Sequence, residues 1–265
     1  MTNKRELVVN FSGGKDSTAM LHLMLEHGEK IDEVIYFDGG WEFTQMAEHV
    51  ELVEQKTGLK ITRLKPELGS FDYYATEHIH KSRKGQVLTG YGYPGSLSRW
   101  CTRLKTQTIQ RYLKGRDTVN CVGFAVGEER RLIRLLNNSG GDVIRCPLIE
   151  DYNFDEVECL QYCYNLGYTW GGLYNYFNRV SCYCCPLQNV TDSLMLKRHY
   201  PDLWQKMRAN ADYIKNRCGA DRAAACNFKA GKPFIAIDAK LRGKQEGWDV
   251  NEWRARLNMI DGSND

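Results

Sequence analysis

Short apolar runs alternate with amphipathic stretches along most of the chain. Leu7-Val8-Val9-Asn10-Phe11 has the nearly unbroken apolar character of a buried strand, and Ala19, Met20, Leu23 and Met24 recur beyond it at helical spacing. Glu33 to Phe37 reads as a second strand, followed by a helical stretch to about Lys56 and a third strand at Ile61 to Leu64. That alternation predicts a parallel sheet with right-handed crossovers. From Gly69 to Trp100 the pattern lapses, which predicts a long loop or lid. It resumes as a basic helix to about Lys114, a fourth strand at Val119 to Phe124 and a fifth at Val143 to Ile149. Asn153 with Glu156 three residues on predicts an N-cap for a helix from Phe154 to about Leu166. Helices follow around Val190 to His199 and Pro201 to Cys218, then a short segment at Lys232 to Ile237 and a last helix near Val250 to Met259. The expected fold class is α/β, three layers around a mostly parallel five-stranded sheet. Residues 1–190 form its main domain and 191–265 a mainly helical C-terminal extension.

Between the first strand and the first helix lies Ser12-Gly13-Gly14-Lys15-Asp16-Ser17. Two glycines let backbone approach a ligand closely, and the first N–H groups of the following helix point at it. The helix dipole favours an anion there, Lys15 adds a mobile ammonium, and the Ser12 and Ser17 hydroxyls can donate to phosphate oxygens. The spacing is not G-x-x-x-x-G-K-[ST], because one residue separates Gly13 from Lys15 and Asp16 follows. An ordinary glycine turn is the plainer alternative. Asp38 ends the second strand at the same sheet edge, where ligands of parallel sheets sit, and is expected to meet a ribose or adenine edge or to cap the next helix.

Composition adds bounds. The chain has 265 residues, 42% hydrophobic and 26% charged, with a formal net charge of +3, which permits a polyanionic partner without requiring one. No apolar run reaches membrane-spanning length, and Met1 to Arg5 leads directly into the first strand, so no leader, no membrane association and a cytoplasmic location are expected. Ten cysteines in that compartment point to metal or redox chemistry rather than to disulfides. Cys182 and Cys185 form a CxxC pair with Cys184 between them, and Cys101 stands far upstream. Cys121, Cys159 and Cys163 lie in apolar contexts and read as buried thiols; Cys146 is ambiguous. A tetrahedral zinc site and an iron–sulfur site are both open on residue type alone.

Two further stretches carry candidate chemistry. Tyr73, Tyr74, His78, His80, Lys81, Arg83, Lys84, Tyr91 and Tyr93 interleave rings and cations in a manner suited to bases and phosphates, or else simply cover the sheet edge. Glu128, Arg130 and Arg131, after the fourth strand, either contact phosphate or form an exposed ion pair.

Taken in order, Ser12 to Ser17, Asp38-Gly39-Gly40-Trp41-Glu42-Phe43, Trp100-Cys101-Thr102, Gly123 to Arg131, Cys146-Pro147-Leu148 and the cysteines after Asn178-Arg179 resemble the phosphoadenosine phosphosulfate (PAPS) reductase family of the PP-loop ATP pyrophosphatases. The resemblance covers roughly residues 6 to 190. It implies an adenine nucleotide alpha-hydrolase-like fold, with ATP and Mg²⁺ held by Ser12, Gly13, Gly14, Lys15, Asp16, Ser17, Asp38 and Gly123. It implies Lys15, Asp16, Glu128 and Arg131 as catalytic residues, and a [4Fe-4S] cluster on Cys101, Cys182 and Cys185 with Cys184 the weaker fourth ligand; Zn²⁺ is the rival. The reductases' C-terminal E-C-G-[IL]-H element has no equivalent, Cys218 and Cys226 being the nearest cysteines, while the PP-loop is intact. Both departures favour a member that splits ATP, adenylates a substrate and transfers sulfur to it. By analogy with relatives the substrate is tRNA or DNA, with the basic helix from Arg103 to Lys114 and the aromatic stretch lining its path. A sulfur donor such as a cysteine desulfurase, and a homodimer, are the other expected partners. A sulfonucleotide reductase and a non-catalytic nucleotide-binding module are the alternatives.

Overall fold

A computed structural model describes residues 5–82, 84–95, 99–218, 227–229, 232–234, 237, 238 and 241. In chain order the elements are β1 (Glu6–Phe11), α1 (Lys15–Glu26), β2 (Glu33–Phe37), α2 (Thr44–Thr57), β3 (Ile61–Leu64), α3 (Phe71–Thr76), β4 (Ile79–Lys81), β5 (Val87–Thr89) and α4 (Trp100–Tyr112). They continue with β6 (Thr118–Val122), α5 (Glu129–Asn137), β7 (Val143–Arg145), α6 (Pro147–Glu150), α7 (Glu156–Asn165) and a 3₁₀ turn at Trp170–Asn175. Last come α8 (Val190–His199), α9 (Pro201–Cys218) and the strand pair β8 (Asn227–Lys229) and β9 (Lys232–Pro233).

The central sheet has five parallel strands in the order β3-β2-β1-β6-β7. Alternation along β1 and β2 divides its faces. Val9, Phe11, Val34 and Tyr36 join the main core with Met20 and Met24 of α1 and Met46, Val50 and Val53 of α2. Val8 and Ile35 instead meet Leu113 and Ile109 at the end of α4. Both faces are therefore covered, which is why β1 reads as continuously apolar. Strand order reverses between β1 and β6, the crevice in which such sheets bind ligands.

The α/β class and the five-stranded parallel sheet expected from the pattern are present. Four local expectations need correction. The stretch from Gly69 to Trp100 is not a structureless loop: it folds as α3 and the antiparallel pair β4–β5, whose three-residue strands are too short to register a period. The fifth strand stops at Arg145, because Pro147 opens the short helix α6. The N-cap of α7 is Asp155, whose carboxylate accepts from Val157 and Glu158 N–H while Glu158 returns to the Asp155 N–H, a complete capping box. Asn153 instead takes a left-handed φ of 53° in the preceding turn. Asp38 caps no helix, since Phe43 precedes α2. Both α8 and α9 occupy the spans expected, whereas the helix expected near Val250 lies outside the described residues.

No described helix is long and apolar enough to cross a membrane. Replacing Asp155→Ala leaves two N–H groups of α7 without their acceptor and is expected to cost about 1 kcal/mol, lowering Tm by roughly 2–4 °C. An unchanged thermal transition contradicts the capping assignment.

Candidate nucleotide and thiol site

Gly14 precedes α1 in extended backbone, so Lys15, Asp16 and Ser17 carry helix-end N–H groups with no intrahelical acceptor. The Lys15 N–H donates to Tyr174 Oη at 2.8 Å; those of Asp16 and Ser17 have no acceptor among the described residues, the condition in which a helix end receives an anion. Gly13 holds φ at 79°, and a Cβ there would stand 2.7 Å from Met46 Cε. Its carbonyl accepts from Trp170 Nε1 at 2.7 Å. Gly123 lies against the same turn: a Cβ would meet Ser17 N and Cα at 3.0 Å. Gly123 thus seats the first turn of α1 on the end of β6.

Two expected roles change. The serine hydroxyls close the turn instead of projecting from it: Ser17 Oγ donates to Gly14 O at 3.0 Å, accepts from Ser12 N–H at 3.1 Å and lies 3.0 Å from Ser12 Oγ. Nor is Lys15 mobile. Its side chain is 7% exposed, and its ammonium pairs with Asp16 at 2.9 Å and Glu156 at 2.8 Å because α7 packs along α1. Burial disfavours this ammonium, but Asp16 and Glu156 outweigh that and hold its pKa above the ordinary lysine value. Burial raises the Asp16 pKa; Lys15 opposes the rise, and Glu156 and Glu128 add to it. One ammonium therefore faces two carboxylates, Asp16 and Glu156, a surplus of acid beside an anion-receiving helix end.

Glu128, at the turn before α5, also binds Ala125 N–H and pairs with Arg131. The Arg131 guanidinium lies 4.5 Å from the Phe124 ring centroid, so the ion-pair alternative describes this residue.

The chain passes from the nucleotide end to the thiols in a few residues. Val180 O stands 3.6 Å from the Cβ position of Gly14, and two residues later Cys182 bridges to Glu42. Cys182 Sγ is 3.7 Å from Glu42 Oε1. The Glu42 carboxylate also accepts from Gly39 and Trp41 N–H at 3.3 and 3.0 Å. Burial, followed by the Asp38 carboxyl beside it, lifts the Glu42 pKa to about 7. Asp38 itself accepts from Gly40 N–H at 2.8 Å.

Cys101, Cys182 and Cys185 are half-buried and close enough to influence one another. Burial raises the Cys182 pKa, with Glu42, Cys185 and Cys101 adding and Lys105 opposing; burial, with Cys185 adding, raises that of Cys101. Lys105 stands one turn from Cys101 on α4. Such thiols become thiolates on binding a metal, which displaces their protons. Among the described residues no group of three Cys, His, Asp or Glu side chains is arranged to hold a metal ion. Cys101, Cys182 and Cys185 influence one another's titration, and a set of thiol donors is the chemistry that holds an iron–sulfur cluster or a zinc ion. Cys184 is 1% exposed and lies in the main core near Tyr93. Cys121, Cys146, Cys159 and Cys163 are fully buried. Cys226 lies outside the described residues.

Glu42, Glu156, Trp170 and Tyr174 were not singled out from the sequence. Glu156 was assigned to a helix cap, and Trp170 and Tyr174 stand 157 and 159 positions from their loop partners, with no local pattern to mark them. Glu42 lies inside the motif that drew attention to Asp38.

In metal-free protein the Glu42 pKa near 7 lies above its ordinary value of 4.5. The stability contributed by its proton is therefore full below pH 4.5 and lost as pH rises through 7. Between pH 5 and 8, wild type is expected to lose stability relative to Glu42→Gln by chemical denaturation; parallel profiles contradict this.

Comparison with known proteins follows the same lines. The phosphoadenosine phosphosulfate reductase domain matches residues 6–188. Two relatives from Methanocaldococcus jannaschii align: the uncharacterized protein MJ0066, 26% identical over 77% of this chain and 41% of its own length, and the uncharacterized protein MJ0973, 25% identical over 78% and 48%. The chain thus spans less than half the length of these relatives. Among solved structures, a U34-tRNA thiolase, NcsA, from Methanococcus maripaludis with its [4Fe-4S] cluster aligns with a TM-score of 0.44 at 14% identity, over 80% of this chain and 73% of that one. An NH₃-dependent NAD synthetase from Campylobacter jejuni aligns with a TM-score of 0.38 at 12% identity, over 82% and 85%. The chain belongs to the phosphoadenosine phosphosulfate reductase domain family.

Proposed function

We propose that this protein binds ATP at the Ser12–Ser17 turn, adenylates an acceptor with release of pyrophosphate, and exchanges the resulting AMP for sulfur, with a nucleic acid as the acceptor. One observation carries the reading: a single segment brackets both halves of the chemistry, lying beside Gly14 at Val180 and beside Glu42 at Cys182.

The Asp16 and Ser17 N–H groups receive phosphate oxygens, and Lys15 exchanges a carboxylate partner for a phosphate one without leaving its place. Asp16 and Glu156, which share one ammonium, supply the acid surplus that draws Mg²⁺ to the triphosphate, since Mg²⁺ is held by one or two carboxylates plus phosphates and keeps several waters. An acceptor oxygen attacks the α-phosphorus; the bond to the bridging oxygen of the β-phosphate breaks and pyrophosphate leaves with its charge neutralised. This step is catalysed by alignment and charge stabilisation, which fixed dipoles and Lys15 provide. The terminal sulfur of a persulfide-type donor then attacks the adenylated carbon, the C–O bond to AMP breaks, and a thiol reductant cleaves the resulting acceptor–donor disulfide, leaving the sulfur on the acceptor and the donor as a disulfide with the reductant. Cys101, Cys182 and Cys185 would hold a [4Fe-4S] cluster, which supplies, when bound, an iron that a fourth thiolate does not occupy.

With ATP labelled at the α-phosphate, anaerobic protein and a nucleic-acid acceptor, labelled AMP and pyrophosphate are expected in equal amounts. Lys15→Ala should reduce the rate by roughly 10²-fold or more. Consumption of PAPS with a thiol reductant, without AMP formation from ATP, overturns the proposal. Separately, Cys101→Ala, Cys182→Ala and Cys185→Ala are each expected to lower bound iron and the visible absorption of anaerobically purified protein, while Cys184→Ala retains both. Iron lost equally in all four contradicts the ligand set.

A further inference from the structure

Residues 78–116 contain nine lysines and arginines and no aspartate or glutamate. The whole chain has 36 basic and 33 acidic residues, so everything outside this stretch carries six more acids than bases. A net charge of +3 thus conceals a strongly cationic segment on an acidic body.

The fold brings two parts of that segment, the β4–β5 pair and the start of α4, together around Tyr91. In the β4–β5 pair Ile79 faces Thr89 and Lys81 faces Val87, so Ile79, Lys81 and Val87 share a face. Ile79 and Val87 are each 67% exposed, although both are β-branched and apolar. His80, on the opposite face, rests 4.3 Å from the Tyr91 ring. Tyr91 stacks on Trp100 at the start of α4 at 5.6 Å, and the Arg103 guanidinium lies 5.9 Å from the same ring. The strand pair and the first turns of α4 therefore stand on one aromatic base, next to Cys101. Lys81, Lys84, Arg99 and Arg103 are exposed, with no carboxylate within ion-pair distance among the described residues.

We infer that the β4–β5 arm and the amino-terminal half of α4 form a docking surface for an unpaired polynucleotide strand, delivered to the thiol end of the site. Resting on the proposed function for its purpose, the inference names the form of the acceptor and the surface that takes it. Unpartnered cations match a phosphate backbone. Exposed Ile79 and Val87, on the face of the arm that also carries Lys81, offer apolar contact to bases that are not stacked in a duplex, whereas an acidic protein would have little use for them.

Fluorescence anisotropy with oligouridylate and oligothymidylate of about 30 nucleotides, a duplex of equal length, and polyglutamate tests this directly. Wild type is expected to prefer the two single strands, with affinity falling linearly in log–log form as salt rises. The triple variant Lys81→Gln, Lys84→Gln, Arg103→Gln should bind on the order of tenfold more weakly, its salt slope reduced by about 2. Ile79→Ser with Val87→Ser should weaken binding with the slope intact, and unchanged melting temperatures show that both variants are folded. Preference for uridylate or thymidylate assigns the acceptor to RNA or DNA. Equal binding of duplex or polyglutamate, or a triple variant indistinguishable from wild type, overturns the inference. Titration of the same samples with α,β-methylene ATP keeps the two readings apart. Wild type that binds nucleotide but no strand refutes the surface alone; wild type that binds strand but no nucleotide refutes the adenylation reading and leaves the surface standing.

Discussion

Two hydrogen bonds from one short turn hold the glycine loop before α1 in shape. Trp170 Nε1 donates to the Gly13 carbonyl at 2.7 Å, and Tyr174 Oη accepts from the Lys15 N–H at 2.8 Å. A glycine pair alone would leave the loop free to sample many conformations, and ordering it on ligand binding would cost conformational entropy. Pinned at both ends by buried rings, the backbone is already arranged. Trp170 is stacked in turn on His49 at 4.5 Å, and His49 reaches Thr18 Oγ1 at 3.0 Å. The brace thus closes back onto α1. Burial drives the His49 pKa down to about 3, so its ring is a neutral packing element throughout the physiological range.

Charge is distributed around that brace with a clear asymmetry. The helix end and Lys15 are positive, Asp16 and Glu156 share that one ammonium, and Glu128, paired with Arg131, lies close enough to raise the Asp16 pKa. Such an arrangement is poorly satisfied by a bare anion and better satisfied by an anion that brings its own divalent cation. A second carboxyl pair, Asp38 with Glu42, adjoins the thiols at Cys182. Asp38 borders the sheet edge, while Glu42 turns inward to Cys182. Neighbouring positions in one turn thereby face two different chemistries.

Much of this was legible in the sequence where a signal is local. The strands β2 and β3 and the helices α8 and α9 carry uninterrupted periodic patterns, and their ends fall where those patterns end. The Ser12–Ser17 turn is recognisable because strand, glycines and helix are contiguous. Local signals also misled where two of them overlapped: Asn153 and Asp155 each stand three residues before a glutamate, and the structure closes the capping box on Asp155, which also bridges to Val126 through the backbone. The β4–β5 strands are too short for any alternation to be read. Lys15 looked free because its partner Glu156 lies 141 positions away. Tyr174 and Trp170 were hidden for the same reason, since side chains that support a loop from a distant turn leave no spacing to detect.

The central claim is that the pinned turn grips the triphosphate so that its innermost phosphorus is open to attack. A crystal structure with α,β-methylene ATP and Mg²⁺ tests it most directly. The account requires phosphate oxygens within hydrogen-bond distance of the Asp16 and Ser17 N–H groups, Lys15 Nζ turned from Glu156 to a phosphate, and the α-phosphorus facing the Cys101–Cys182 side. A nucleotide lodged elsewhere, with the turn unvisited and the Lys15–Glu156 pair intact, would contradict it.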